Sequence, residues 1–287
     1  MGQHWTLDDI PWERFDASKV DPEILKAVKA ACLVEYNAAD YVTYLHKIFP
    51  DDPDFCAAAS EWGVEEVQHG RALAEWVRIA DPAFDFDRAL TRFREGYKLP
   101  EVAESVRGSR AGELIARCVV EVGTSSFYSA IRDAADEPVL KIVCAKIAGD
   151  EFRHFKLFYD HFRRYQPQER LPLVRRLYVA MTRINEASDD ELAMAFYCGN
   201  ELTEPYDRKK HSAAYGARAS RLYRFGHIQR AVAMVLKACE LKAQGPVHKY
   251  AARAAWRLMQ WRGRQLAKVA SAPVGGGLDA SDLPRAA

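Results

Sequence analysis

Strand signals are nearly absent from this 287-residue chain, so an all-α fold is expected. No uninterrupted apolar run approaches the ~20 residues that span a bilayer. The opening Met1-Gly2-Gln3-His4-Trp5-Thr6 lacks the apolar stretch of a secretion leader, and a cytoplasmic protein is expected. The six cysteines (Cys32, Cys56, Cys118, Cys144, Cys198, Cys239) include no Cys-x-x-Cys pair, which leaves no place for a rubredoxin-type iron. Several fall on apolar stripes and read as reduced core residues. Net charge is also nearly missing, at +1, but that value hides an imbalance. Residues 205–287 hold 16 Lys/Arg against 4 Asp/Glu, leaving 25 against 36 for residues 1–204.

What the chain does have is a repeated pattern. Glu66-x-x-His69 and Glu151-x-x-His154 are each preceded about thirty residues upstream by a lone glutamate, Glu35 and Glu121. At about 3.6 residues per helical turn, a Glu and a His three apart stand on one face and reach the same ion. Two such pairs with two further glutamates make up the ligand set of a four-helix bundle with a dimetal-carboxylate core. The apolar stripes turn these residues inward. Val28, Cys32, Glu35, Ala39 and Val42 share one face, as do Ala59, Trp62, Glu66, His69, Leu73 and Trp76. Leu114, Cys118, Glu121, Thr124 and Tyr128 form a third stripe, and Leu140, Cys144, Ile147, Glu151, His154 and Phe158 a fourth. Four unpaired carboxylates in an apolar core would cost many kcal/mol, whereas two divalent cations cancel their charge and two neutral imidazoles complete the coordination. Hard oxygen donors with one nitrogen per ion suit two iron ions, with manganese or an iron–manganese pair as the alternatives.

The organisation follows from Pro, Gly and acidic punctuation. Residues 1–20 read as an irregular arm, 21–166 as the dimetal four-helix bundle, 167–270 as additional basic helices packed on it, and 271–287 as a disordered tail. Within the bundle, one helix is expected from Asp21-Pro22 to Phe49, a second over 54–79, a third over 111–134 and a fourth from the Asp136-Glu137-Pro138 step to about Tyr165. Residues 81–110 form the long connection between the second and third. Later helices are expected over 171–185, 189–202, 207–243 and 247–270.

At Glu65-Glu66-Val67-Gln68-His69-Gly70 and Asp150-Glu151-Phe152-Arg153-His154 the chain resembles the soluble acyl-carrier-protein desaturases of the ferritin-like di-iron carboxylate superfamily. Trp62 and Thr124 also fall where that family keeps a tryptophan and a threonine. The resemblance covers roughly residues 25–165. It implies a ferritin-like fold in which Glu35, Glu66, His69, Glu121, Glu151 and His154 hold two irons, with Glu66 and Glu151 as bridges. It implies further that Thr124 lies beside the oxygen site, and that Trp62, Asp150 and Arg153 form a route for electrons and protons. From the residues alone, Trp62 and Tyr128 read as core rather than as redox groups, Thr124 as bonding back to the carbonyl of residue 120, and Arg153 as a surface charge. Asp150 is available to a metal-bound histidine, though which one is not legible.

The function expected is O2-dependent oxidation of an unactivated C–H bond in a fatty-acyl or lipid-like chain, by desaturation or hydroxylation, with electrons from an external donor such as ferredoxin. A di-iron N-oxygenase or monooxygenase of a soluble metabolite, and a ferritin-like iron oxidase or peroxide scavenger, need the same ligands. Arg253, Arg257 and Arg264 line one side of the last helix and suit an acidic partner such as an acyl carrier protein, or anionic lipid headgroups. A homodimer is expected, and no nucleic-acid partner.

Overall fold

The computed structural model describes residues 5–99, 104–186 and 190–271, and among them every regular element is helical. Of the expected tail only Ser271 falls in these ranges; 272–287 lie outside the described residues. The first part, from Trp5, makes three short 3-10 turns, Leu7–Asp9, Trp12–Arg14 and Ala17–Lys19. Three of the long helices begin in the same way, with an acidic cap followed by proline. In α1 (Pro22–Tyr36) the Asp21 carboxylate accepts from the amides of Glu23 and Ile24; in α3 (Pro53–Ala80) Asp52 accepts from Phe55. In α6 (Pro138–Glu169) Glu137 accepts from Val139 and Leu140. Each acid satisfies amides that have no partner within the helix, and proline at the first turn gives up none that is needed. Ser109 caps α5 (Arg110–Ala134) likewise.

The helix expected over 21–49 is two helices. The chain turns at Asn37, and α2 (Ala38–Ile48) follows α1. Asn37 is buried and uses its side chain twice: Nδ2 donates to the Asp40 carboxylate and Oδ1 accepts from Arg94 Nε. That side-chain network competes with the helical ladder, and the apolar stripe running past it hides the break. The connection 81–110 contains α4 (Phe86–Gly96). Beyond it come α7 (Leu173–Glu186), α8 (Asp190–Gly199), α9 (Arg208–Leu222), α10 (Phe225–Ala238) and α11 (Pro246–Ala270). The stretch 207–243 therefore also divides, at Tyr223 and Arg224, where no Pro or Gly announces it. The break is held from α5, because Arg224 donates to the Asp133 carbonyl and His227 contacts the Asp133 carboxylate at 2.9 Å.

α1 packs along α3, α5 along α6, and α3 meets α6; α2 lies on α3, α8 on α1, α10 on α5, and α11 on α9 and α10. The buried apolar residues form two clusters rather than one. Leu33, Leu73, Trp76, Tyr128, Ile131, Val143 and Ile147 belong to the first, and Leu45, Phe55, Trp62, Leu114, Cys118, Phe158 and Phe162 to the second. On α3, α5 and α6 the change from one cluster to the other falls at the Glu and His positions, so a polar layer crosses the core. All six cysteines are free, and every one except Cys56 is buried.

One glycine sets the width of this layer. A Cβ on Gly70 would stand 2.5 Å from the amide nitrogen of Tyr36 and 2.7 Å from its Cα, next to Glu35 on one side and His69 on the other. Only hydrogen lets α3 approach the α1 backbone this closely. Gly70→Ala is expected to lose about 1–3 kcal/mol, because the obstruction is main chain and cannot swing away. Thermal unfolding should shift down by roughly 2–10 °C; an unchanged transition would mean the helices separate without penalty.

Candidate metal centre

The polar layer brings all six sequence-predicted ligand residues together. Glu35 stands on the last turn of α1, Glu66 and His69 mid-α3, Glu121 mid-α5, and Glu151 and His154 mid-α6, none of them more than 7% exposed. Their donor atoms fall into two groups, each within 4.8 Å: Glu35, Glu66, His69 and Glu151, and Glu66, Glu121, Glu151 and His154. Glu66 and Glu151 belong to both. His69 Nδ1 lies 3.5 Å from Glu66 Oε2 and 3.3 Å from Glu151 Oε1. His154 Nδ1 lies 3.0 Å from Glu66 Oε1 and 3.7 Å from Glu121 Oε2. The two imidazole centroids are 5.7 Å apart. Both Nδ1 atoms, both Glu121 oxygens and Glu151 Oε1 are buried without a hydrogen-bond partner. Buried oxygen and nitrogen donors left unpaired and facing one another are what a divalent cation satisfies, and the cluster can hold a metal ion.

The histidines are turned inward by acids on the opposite helix. His69, on α3, places Nε2 3.0 Å from Asp150 Oδ2 of α6, and His154, on α6, places Nε2 2.7 Å from Glu65 Oε2 of α3. A carboxylate on Nε2 keeps the proton there and leaves the Nδ1 lone pair for a metal. Arg153 joins the two acids, donating to Asp150 Oδ1 at 2.6 Å and to Glu65 Oε2 at 3.2 Å. Trp5 completes the arrangement. Its Nε1 donates to Asp150 Oδ2 at 2.6 Å, its ring stacks on His69 with centroids 6.0 Å apart, and Gln68 donates to its carbonyl. Glu65 and Trp5 are the residues sequence reading missed. The signal for Glu65 was present: in both Glu-x-x-His motifs the glutamate follows an acid directly, Glu65 before Glu66 and Asp150 before Glu151, and each acid serves the other motif's histidine.

The accessory residues find different partners. Thr124 Oγ1 lies 2.6 Å from Glu151 Oε2 and only 3.3 Å from the carbonyls of Val120 and Glu121, so its proton goes to the carboxylate rather than back to the helix. Tyr128 is buried in the core, as expected of its stripe, yet its hydroxyl donates to Glu35 Oε1 at 2.5 Å. Trp62 is buried edge-on to His154 and to Phe158, its Nε1 unpartnered. Arg253, Arg257 and Arg264 are exposed on α11 and contribute nothing to the cluster.

Burial and mutual repulsion split the carboxylates. Burial, then the charges of Glu66 and Glu151, push Glu35 well up; burial, then Glu151 and Glu66, do the same to Glu121. Burial would raise Glu66 as well, but the neighbouring Glu35 carboxyl and the His154 charge bring it well below its ordinary value, and Glu151 is lowered against its burial by His154 and His69. Burial disfavours charge on His69 and His154, yet the surrounding carboxylates raise both well above the usual imidazole range. Asp150, despite burial, is held at about 2 by His69 and Arg153.

Asp150→Asn and Glu65→Gln keep the shape and remove the charge behind one histidine each. Metal affinity is expected to fall roughly 10–100-fold in either, the usual effect of losing such a support. Competition against a chelator measures it; unchanged affinity in both would leave the crosswise acids without a role in holding metal. No family model and no curated protein matches the chain.

Proposed function

We propose that the protein is an O2-dependent di-iron oxidoreductase with a ferritin-like bundle, acting on an unactivated C–H bond of a fatty-acyl or lipid-like chain as a desaturase or hydroxylase. The observation that supports this reading is the doubled donor set, two groups of three carboxylates and one imidazole that share Glu66 and Glu151. When bound, two ferrous ions supply the reduction of O2 and the oxidant for the C–H bond. Manganese is the alternative ion. Desaturation provides two of the four electrons that carry O2 to water, so a donor of the ferredoxin class supplies the other two.

The chain's own residues position and insulate. Glu65, Asp150 and Arg153 fix the imidazoles, and Arg153, with Trp5, links the surface to His69 through Asp150, a path suited to electrons and protons; Trp62 beside His154 is a second candidate. Thr124 holds a proton against Glu151 Oε2. Apolar walls from both core clusters exclude water, which strengthens every electrostatic interaction inside.

A soluble polar metabolite is the second reading, favoured by one observation. Arg117, one turn before Glu121 on α5, is buried 3.6 Å from Glu113 and over the Tyr41 ring. Such a charge near the metal layer suits a carboxylate-bearing substrate.

Anaerobic reconstitution with Fe(II) or Mn(II), followed by metal analysis, O2 uptake and mass spectrometry of candidate fatty-acyl and amino-acid substrates, tests the readings. Two ions per chain and an oxidised acyl product are expected. Fewer than one ion per chain sinks the site assignment; O2 uptake without an organic product moves the function to iron oxidation or peroxide removal. Thr124→Val should alter the O2 rate on the order of ten-fold or more while metal content stays the same. Equal rates would remove Thr124 from the chemistry.

A further inference from the structure

Four of the large apolar side chains exposed among the described residues stand on α11: Val247 at 67%, Tyr250 at 68%, Leu258 at 52% and Trp261 at 41%. With Ala254, also exposed, they follow intervals of three and four residues and form one row along the helix. The row is not the remainder of a packing face. α11 packs through its opposite side, where Ala252 is fully buried, Trp256 meets Phe225, and Gly263 sits against Ser220. Cations flank the row, Arg253, Arg257 and Arg264 on one side and Arg262 on the other, with Lys249 and Lys268 towards the ends. α11 contains no acidic residue, and among the described residues none of its six Lys/Arg is paired with a carboxylate. The exposed apolar face of α7 differs in this respect, since Arg176 there is paired with Glu240.

We propose that α11 is a membrane-surface helix that docks the protein on bilayers containing anionic phospholipid. Val247, Tyr250, Leu258 and Trp261 enter the headgroup region, and the arginines on both flanks pair with lipid phosphates. The chemistry favours this occupant over an acidic carrier protein. Charge alone would serve a carrier, and a convex ridge offers a partner helix no groove. A straight apolar crest about 21 Å long with cations on its shoulders fits a plane that is apolar beneath and anionic at the surface. Tyr and Trp are the rings that settle at headgroup level. Among the described residues no helix is long and apolar enough to cross a membrane, so α11 lies on the surface. The inference stands apart from the metal centre, and metal content measured in the same samples keeps the two separable.

The full chain is sedimented with phosphatidylcholine vesicles and with mixed phosphatidylcholine–phosphatidylglycerol vesicles, at low and at physiological salt. Binding is expected to the mixed vesicles, much weaker to the neutral ones, and reduced as salt screens the attraction over about 8 Å. Reversing Arg253, Arg257 and Arg264 to Glu should weaken it roughly a hundred-fold or more, at about five-fold for each positive charge removed. Leu258→Gln with Trp261→Gln should weaken it about ten-fold or more, although neither changes the charge of the helix. Circular dichroism and metal content should match wild type in both variants. Failure of the wild type to bind mixed vesicles at low salt overturns the proposal, and binding of an acidic carrier protein in its place assigns the ridge to that partner. Full binding by the Leu258/Trp261 variant also overturns it, by reducing the surface to charge alone.

Discussion

Replacing Glu151 with alanine is expected to abolish both metal positions at once, whereas replacing Glu121 should disable only one. The difference follows from membership: Glu151 belongs to both donor groups, and Glu121 only to the group of His154. In the wild type, a metal present at a hundred times its dissociation constant adds about 2.7 kcal/mol to stability, which raises the unfolding temperature by roughly 5–10 °C. Glu151→Ala should show none of that gain. Glu121→Ala should keep part of it. The variant is also expected to be weaker before any metal is added, since His69 and His154 both have the Glu151 carboxylate within 4 Å and are left short of a partner. Elemental analysis and thermal unfolding with and without Fe(II) or Mn(II) measure both effects. Wild-type metal content in Glu151→Ala would remove that residue from the ligand set.

Loading two ions should release about four protons per chain and make affinity steeply dependent on pH. The count comes from the directions of the shifts. Glu35 and Glu121 are raised and keep their protons, His69 and His154 are raised and are charged, and Glu66 and Glu151 are lowered and ionised. Two imidazolium ions then balance two carboxylates. Two divalent cations displace all four of those protons, so affinity should rise roughly a hundred-fold per ion per pH unit while the groups remain protonated. The sign for folding runs the other way without metal. A raised imidazole contributes stability fully below its unfolded value of about 6.5, and that contribution is lost as pH rises through the folded value. Raised carboxyls act in the same direction from about pH 4.5 upward. Metal-free protein should therefore lose unfolding temperature as pH rises above about 6.5, and metal-saturated protein should not. Proton release on titration with Mn(II) in weak buffer, and paired thermal scans, check the two halves. Release near zero would mean that Glu35, Glu121, His69 and His154 have all lost these protons before the metal arrives.

The ligands were legible because helical geometry translates a three-residue spacing into a shared face, and because the spacing occurs twice with buried carboxylates that need a counter-charge. What surrounds them was legible only in part. Asp150 was expected beside a histidine, but the choice of His69 depends on how α3 and α6 cross, which no local pattern encodes. Glu65 precedes a ligand and so reads as part of the motif, not its support. Tyr128 looked apolar because one hydroxyl does not disturb a stripe. The breaks at Asn37 and Arg224 escaped notice because side-chain bonds to distant helices, Arg94 on α4 and Asp133 on α5, hold them. The basic surface of α11 could be read from charge, but the exposed row of Val247, Tyr250, Leu258 and Trp261 emerges only when the packed side of the helix is known.

The bond from Trp5 to Asp150 spans 145 positions of the chain. Because a ribosome makes the chain from its amino end, Trp5, Glu35, Glu66, His69 and Glu121 are all synthesised before α6 exists. A nascent chain at that stage carries three buried-to-be glutamates and a single imidazole, with neither Asp150 to orient His69 nor an anchor for the arm. Closure of the site therefore waits for α6, and a chain truncated before Glu151 cannot present either full donor group to a metal. The centre records whether synthesis reached α6.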